Sequence, residues 1–138
     1  MSGKDWSMRK LAVVLATGLV GGWLFCQGCN TAVRGPEGQI EGVLKNGTLM
    51  ATLDRGIGRA FEAVQEGVRQ LGFTTIMSEQ DGVAAEVLAR DAEQQNITIK
   101  LEALSPNKTS LTMRVGIFGD QNKSNVIFKK IQENLRAR

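Results

Sequence analysis

Residues 47–73, GTLMATLDRGIGRAFEAVQEGVRQLGF, change their hydrophobic period in mid-stretch, and that change decides the fold. Leu49, Ala51 and Leu53 alternate with Thr48, Met50 and Thr52, the period of two expected of a strand with one covered face. From Ile57 onward the apolar residues fall instead at Ile57, Ala60, Phe61, Val64, Val68 and Leu71, one stripe on a helix over Gly56 to Leu71. Arg59, Glu62, Gln65, Glu66, Arg69 and Gln70 cover its other side. Asp54 stands where an N-cap would, and Gly72 before Phe73 fits a left-handed C-cap with its hydrophobic contact.

Working outward, Asn46-Gly47 is a two-residue hairpin signal, so Ile40 to Leu53 is either a hairpin or one strand bulged at Gly47. Downstream, four strands are predicted at Phe73–Glu79, Val83–Arg90, Asn96–Ala103 and Ser110–Phe118. Gln80-Asp81-Gly82, Glu93-Gln94-Gln95 and Ser105-Pro106-Asn107-Lys108 separate them, and connections this short make neighbours antiparallel. Ile97, Ile99, Leu101 and Ala103 oppose Thr98, Lys100 and Glu102, and Leu111, Met113, Val115 and Ile117 oppose Thr112 and Arg114. A last helix over Asn122 to Arg136 carries Ile127, Phe128, Ile131 and Leu135. Two helices with one apolar stripe each must cover the apolar sheet face. The expected fold is therefore α+β, a two-layer sandwich with an antiparallel sheet of about five strands and two helices packed on one face, the other face in solvent.

Upstream the chain reads differently. Met1 to Lys10 is polar and basic, Leu11 to Phe25 (LAVVLATGLVGGWLF) is free of charge, and small residues follow. This is the layout of a secretory signal, and the run is short for a spanning helix of about 20 residues and holds Gly18, Gly21 and Gly22. Phe25-Cys26-Gln27-Gly28-Cys29 resembles a lipobox, with Gly28 before Cys29 as that motif has it and Cys26 where it usually has Leu. The resemblance implies a signal peptide over residues 1–28, and lipid attachment at Cys29 through a covalent diacylglycerol and an N-acyl chain. Asn30, in place of the inner-membrane retention signal Asp, implies the outer membrane facing the periplasm. Residues 29–39 read as a flexible tether, of which the ten from Asn30 to Gln39, fully extended, would reach about 33 Å and hold the domain clear of the headgroups. Residues 40–138 then form a single α+β domain.

The run of residues 47–73, the strand LTMRVGIFGD and the C-terminal helix together resemble a family of small bacterial lipoproteins of unknown function. The resemblance spans Gly47 to Leu135 plus the lipobox. It implies a fold and a location and no activity.

The composition excludes several functions. The full chain has 17 Lys plus Arg against 14 Asp plus Glu, but Lys4, Arg9, Lys10 and Asp5 belong to the leader, which leaves 14 basic and 13 acidic residues from Cys29 on. With no clustered charge, no Tyr, and both Trp6 and Trp23 in the leader, nucleic-acid binding is not expected. There is no His, and Cys29 would be blocked by lipid, so Ser-His, Cys-His and zinc chemistry lack their residues; no cofactor, metal site or catalytic residue is assigned. Glu62 and Glu66 read as a solvated helix face, Asp81 as a turn residue, and the N-x-Thr sites at Asn46, Asn96 and Asn107 as turn or strand-start chemistry. Two readings follow: a non-enzymatic binding or structural module for an envelope protein, peptidoglycan or lipid partner, or an envelope hydrolase using carboxylates. Gly116-Ile117-Phe118-Gly119-Asp120 is the most distinctive motif of the domain, and Gly116, Phe118, Gly119 and Asp120 form the candidate interaction loop. Asp120, or Ser124 if the helix starts later, is its candidate N-cap.

Overall fold

A computed structural model describes residues 31–34 and 40–137 of the chain. The expected signal peptide over residues 1–28, Cys29 and residues 35–39 of the expected tether lie outside the described residues. Seven strands and two helices follow in order: β1 (Thr31–Arg34), β2 (Ile40–Lys45), β3 (Thr48–Leu53), α1 (Ile57–Gln70), β4 (Thr74–Gln80), β5 (Ala84–Arg90), β6 (Asn96–Ser105), β7 (Lys108–Val115) and α2 (Gln121–Arg136). The strands form one open sheet in the order β1-β2-β3-β7-β6-β5-β4, with every neighbouring pair antiparallel.

The fold class is the expected α+β, but the sheet has seven strands rather than about five. The first addition resolves an open alternative: Ile40 to Leu53 is a hairpin. Asn46 (φ 51°) and Gly47 (φ 73°) both turn left-handed, as a two-residue loop between twisted strands requires. The second addition comes from the expected tether, where Thr31–Arg34 pairs with β2, Thr31 opposite Leu44 and Val33 opposite Gly42. Val33 of this strand packs against the core, but four residues carry too little alternation to be read as a strand.

The core is written in register. Leu49, Met113, Ile99 and Val87 form one row across β3, β7, β6 and β5, and Ala51, Leu111, Leu101 and Ala85 form the next. All eight are buried. The helices lie against each other and against this face of the sheet. Helix α1 buries Ala60, Ala63, Val64, Gly67 and Val68, while Ile57, Phe61 and Leu71 are only half-buried. Its buried stripe is thus turned toward small residues, because Ile131 of α2 packs close over Gly67.

Helix α1 ends as its sequence predicts: Gly72 has φ 74°, Gly72 N–H donates to Arg69 O, and Phe73 N–H to Val68 O. Its start differs from expectation. The N-cap is Gly56, with no side-chain cap, and Asp54 is exposed two residues earlier. The strand-to-helix junction is held instead by the buried Thr109 hydroxyl, which donates to Arg55 O at 2.8 Å. Strand β7 also stops at Val115 rather than Phe118, because Gly116 turns (φ 69°) and its N–H goes to Asn96 O.

Candidate functional site

The loop between β7 and α2 is built from backbone constraints. Asp120 N–H donates to Val115 O at 2.9 Å and closes Gly116–Gly119 into a compact turn. Gly119 lies at φ 81°, and its Cα meets Gly47 of the β2–β3 hairpin so closely that a Cβ there would sit 2.1 Å from Gly47 O. Gly47 shows the reciprocal contact with Phe118 O, at 2.3 Å from the position its own Cβ would take. Two glycines 72 positions apart therefore share one contact, which nothing in their local sequence announces.

The loop is braced from both flanks. Asp120 is the N-cap of α2, its carboxylate accepting from Lys123 N–H at 3.0 Å. Ser124 does not cap; its hydroxyl donates back to Asp120 O at 2.7 Å. On the sheet side, the Arg114 guanidinium donates to Ile117 O.

Behind the loop, the Lys123 ammonium donates to Asp91 at 2.7 Å, to Glu93, and to Gln95 at 3.1 Å. Asp91 is buried, and its other carboxylate oxygen accepts from Glu93 N–H and Gln95 N–H. The hydrogen bond from Lys123 holds the Asp91 carboxyl below the usual carboxylate range against the opposing effect of burial. The same pair, with Glu93, raises Lys123 above the usual lysine range. This brace ties the β5–β6 turn to the first turn of α2, and no local pattern announces it because its members lie some thirty residues apart.

What the loop displays is apolar. Ile117 is 81% and Phe118 90% exposed, the two most exposed large hydrophobic residues described. Of the other phenylalanines in the domain, Phe128 is buried and Phe61 and Phe73 pack against the core. Beside the loop, on the outer face of β3, β7 and β6, lies a groove of about 750 Å³ floored by Thr48, Thr98 and Thr112. Lys100 and Arg114 line it, and no carboxylate does. A second hollow of about 650 Å³, at the far end of β3 against the last turn of α2, is lined by the exposed Val43 and Met50 together with Asp54, Arg55 and Arg136.

Of the four loop residues singled out from sequence, Gly116, Gly119 and Asp120 shape the turn and Phe118 is what it presents. Of the carboxylates considered for hydrolysis, Glu62 and Glu66 line one small hollow on α1 and Asp81 lies apart from them. Glu62 pairs with Arg59, Glu66 with Arg69, and Asp81 accepts from Val83 N–H and Ala84 N–H within its turn. Among the described residues no cluster of His, Cys, Asp and Glu could hold a metal ion. No helix among them is long and apolar enough to cross a membrane. Of the three N-x-Thr sites, Asn46 forms the hairpin turn, Asn96 opens β6 and accepts from Arg90, and Asn107 lies exposed in the β6–β7 turn.

Fold and site together define a helix-backed antiparallel sheet that presents an apolar loop over a cationic groove. The chain belongs to the family described as "Protein of unknown function (DUF3568)", which matches residues 10–134 and so takes in the apolar run Leu11–Phe25, both cysteines and all but the last residues of the described fold. No curated protein matches it.

Proposed function

We propose that the protein is a lipid-anchored envelope module, acylated at Cys29 and facing the periplasm from the outer membrane, that binds without catalysis through the β7–α2 loop and the groove beside it. The observation that carries the binding is the exposure of Phe118 on a turn whose backbone is fixed on both sides. Adjacent exposed apolar side chains on a fixed turn beside a groove favour an interaction site over a chance exposure. The anchor rests on the leader, on Gly28-Cys29, and on a family match that begins at Lys10 rather than at the folded domain. The carboxylate hydrolase has less support: Glu62 and Glu66 line one small hollow of about 190 Å³, but each is paired with an arginine of its own helix, and Asp81 is engaged in a separate turn.

Labelled palmitate tests the anchor. It should enter the wild-type chain and Cys26→Ala and be absent from Cys29→Ala; incorporation that depends on Cys26 would refute the assignment.

A further inference from the structure

The register of the sheet fixes where the anchor would meet the fold. Thr31 pairs with Leu44, one residue short of the end of β2, and Asn46-Gly47 follows at once. Gly47 is in contact with Phe118 and Gly119. The chain thus enters the sheet at the end that carries Ile117 and Phe118, with β1 one strand spacing, about 4.8 Å, from β2. Between Cys29 and Thr31 lies only Asn30, and two residues extend no further than about 7 Å. An anchor at Cys29 therefore cannot hold this end of the domain far from the bilayer, in contrast to the long tether that the sequence suggested.

From this juxtaposition we propose that Ile117 and Phe118 dip into the lipid interface, so that the protein rests end-on against its own membrane with a second, non-covalent contact beside the acyl chains. The occupant of the loop is the bilayer surface itself. Apolar side chains on a fixed turn enter the boundary between headgroups and acyl chains when a neighbouring anchor holds them there. The charges at this end are compatible with an anionic headgroup layer: Lys45 is exposed beside the hairpin and Arg114 lies under the loop, while Asp91 and Glu93 are engaged by Lys123 and Asp120 by the helix it caps. This inference rests on the lipid-anchor reading, and its test separates the two.

The lipidated full chain would be prepared with Trp6→Phe and Trp23→Phe and a single tryptophan introduced as Phe118→Trp or, at the opposite end of β6, as Leu104→Trp; both positions are exposed, so neither change disturbs packing. The proteins are placed in vesicles of phosphatidylethanolamine and phosphatidylglycerol, with and without brominated acyl chains, and palmitate incorporation is scored on the same samples. Phe118→Trp should emit at shorter wavelength on vesicles and lose intensity to the brominated lipid, while Leu104→Trp keeps its emission in water. Palmitate-labelled Phe118→Trp with a water-like, unquenched spectrum overturns the loop docking and leaves the anchor standing, even where an envelope protein then proves to cover the loop. Quenching of both variants overturns the end-on arrangement. Protein that takes no palmitate and leaves the vesicles refutes the anchor, and with it this proposal.

Discussion

Replacing Gly119 by alanine separates two costs that glycine ordinarily hides. The first is conformational: at φ 81° a residue with a Cβ is strained by roughly 1–2 kcal/mol. The second is steric. The added Cβ would lie 2.1 Å from Gly47 O, 2.3 Å from Gly47 Cα and 2.5 Å from Gly47 C, all backbone atoms that no rotamer change can move aside. Restoring ordinary contact requires the hairpin and the loop to part by more than about 1 Å, and forced overpacking of that kind costs about 1–3 kcal/mol. Gly72 supplies the control, because it has nearly the same φ, 74°, with nothing within 4 Å of its would-be Cβ. Gly72→Ala should therefore lose only the conformational part, and Gly119→Ala roughly 2–5 kcal/mol in all. Urea unfolding followed by far-ultraviolet dichroism reads the difference; with a slope of about 1–3 kcal/mol per molar, the Gly119→Ala midpoint should fall well below that of Gly72→Ala. Equal midpoints for the two variants would mean that the loop and the hairpin do not touch, and the fixed display of Phe118 would lose its basis.

Two further outcomes follow from the braces around the loop. Asp120→Ala removes the cap from Lys123 N–H and should cost roughly 1 kcal/mol, read as a lowered denaturant midpoint; no change would show that the first turn of α2 is held by other contacts. The Asp91 carboxyl titrates lower in the folded than in the unfolded chain, so its contribution is complete above the ordinary value of 3.8 and is lost as the pH falls through the folded value. Lys123, raised by its partners, loses its contribution only in strong alkali, so midpoints measured from pH 7 down to pH 2 should be level at first and then drop, with a shallower acid limb in Asp91→Asn. Identical acid limbs would remove Asp91 from the account.

The legible parts of this fold were those set by local pattern. Leu49 to Leu53 and Ile97 to Leu101 alternate because one sheet face is covered, and both strands stand where that alternation places them. The Gly72 cap and the Asp120 cap were readable because each is a short-range exchange between a few neighbouring residues. What escaped was set by partners far along the chain. Thr31–Arg34 becomes a strand because β2 offers it an edge, and Gly56 rather than Asp54 caps α1 while Thr109, from β7, secures the turn before it. The loop was legible as a distinctive run of residues, yet its contact with Gly47 and the Asp91–Lys123 brace behind it exist only once the sheet has brought β3, β5 and β7 into register.

The position of Phe118 has to be held against the hydrophobic effect. Burying a phenylalanine side chain is worth about 1.5–3 kcal/mol, and a loop free to rearrange would turn this one inward or lay it along the sheet. It stays 90% exposed on a turn whose backbone is held from several sides. The Gly47–Gly119 contact fixes the backbone on one side, and the Asp120 cap sets the direction in which α2 departs on the other. Arg114 holds Ile117 O from beneath, and Lys123 keeps the β5–β6 turn from receding. None of these groups needs Phe118 for its own packing, so they would fold the same turn around a polar residue. An aromatic side chain at that position therefore contributes nothing evident to the stability of the domain, which agrees with the proposed role of the loop as a contact for the membrane.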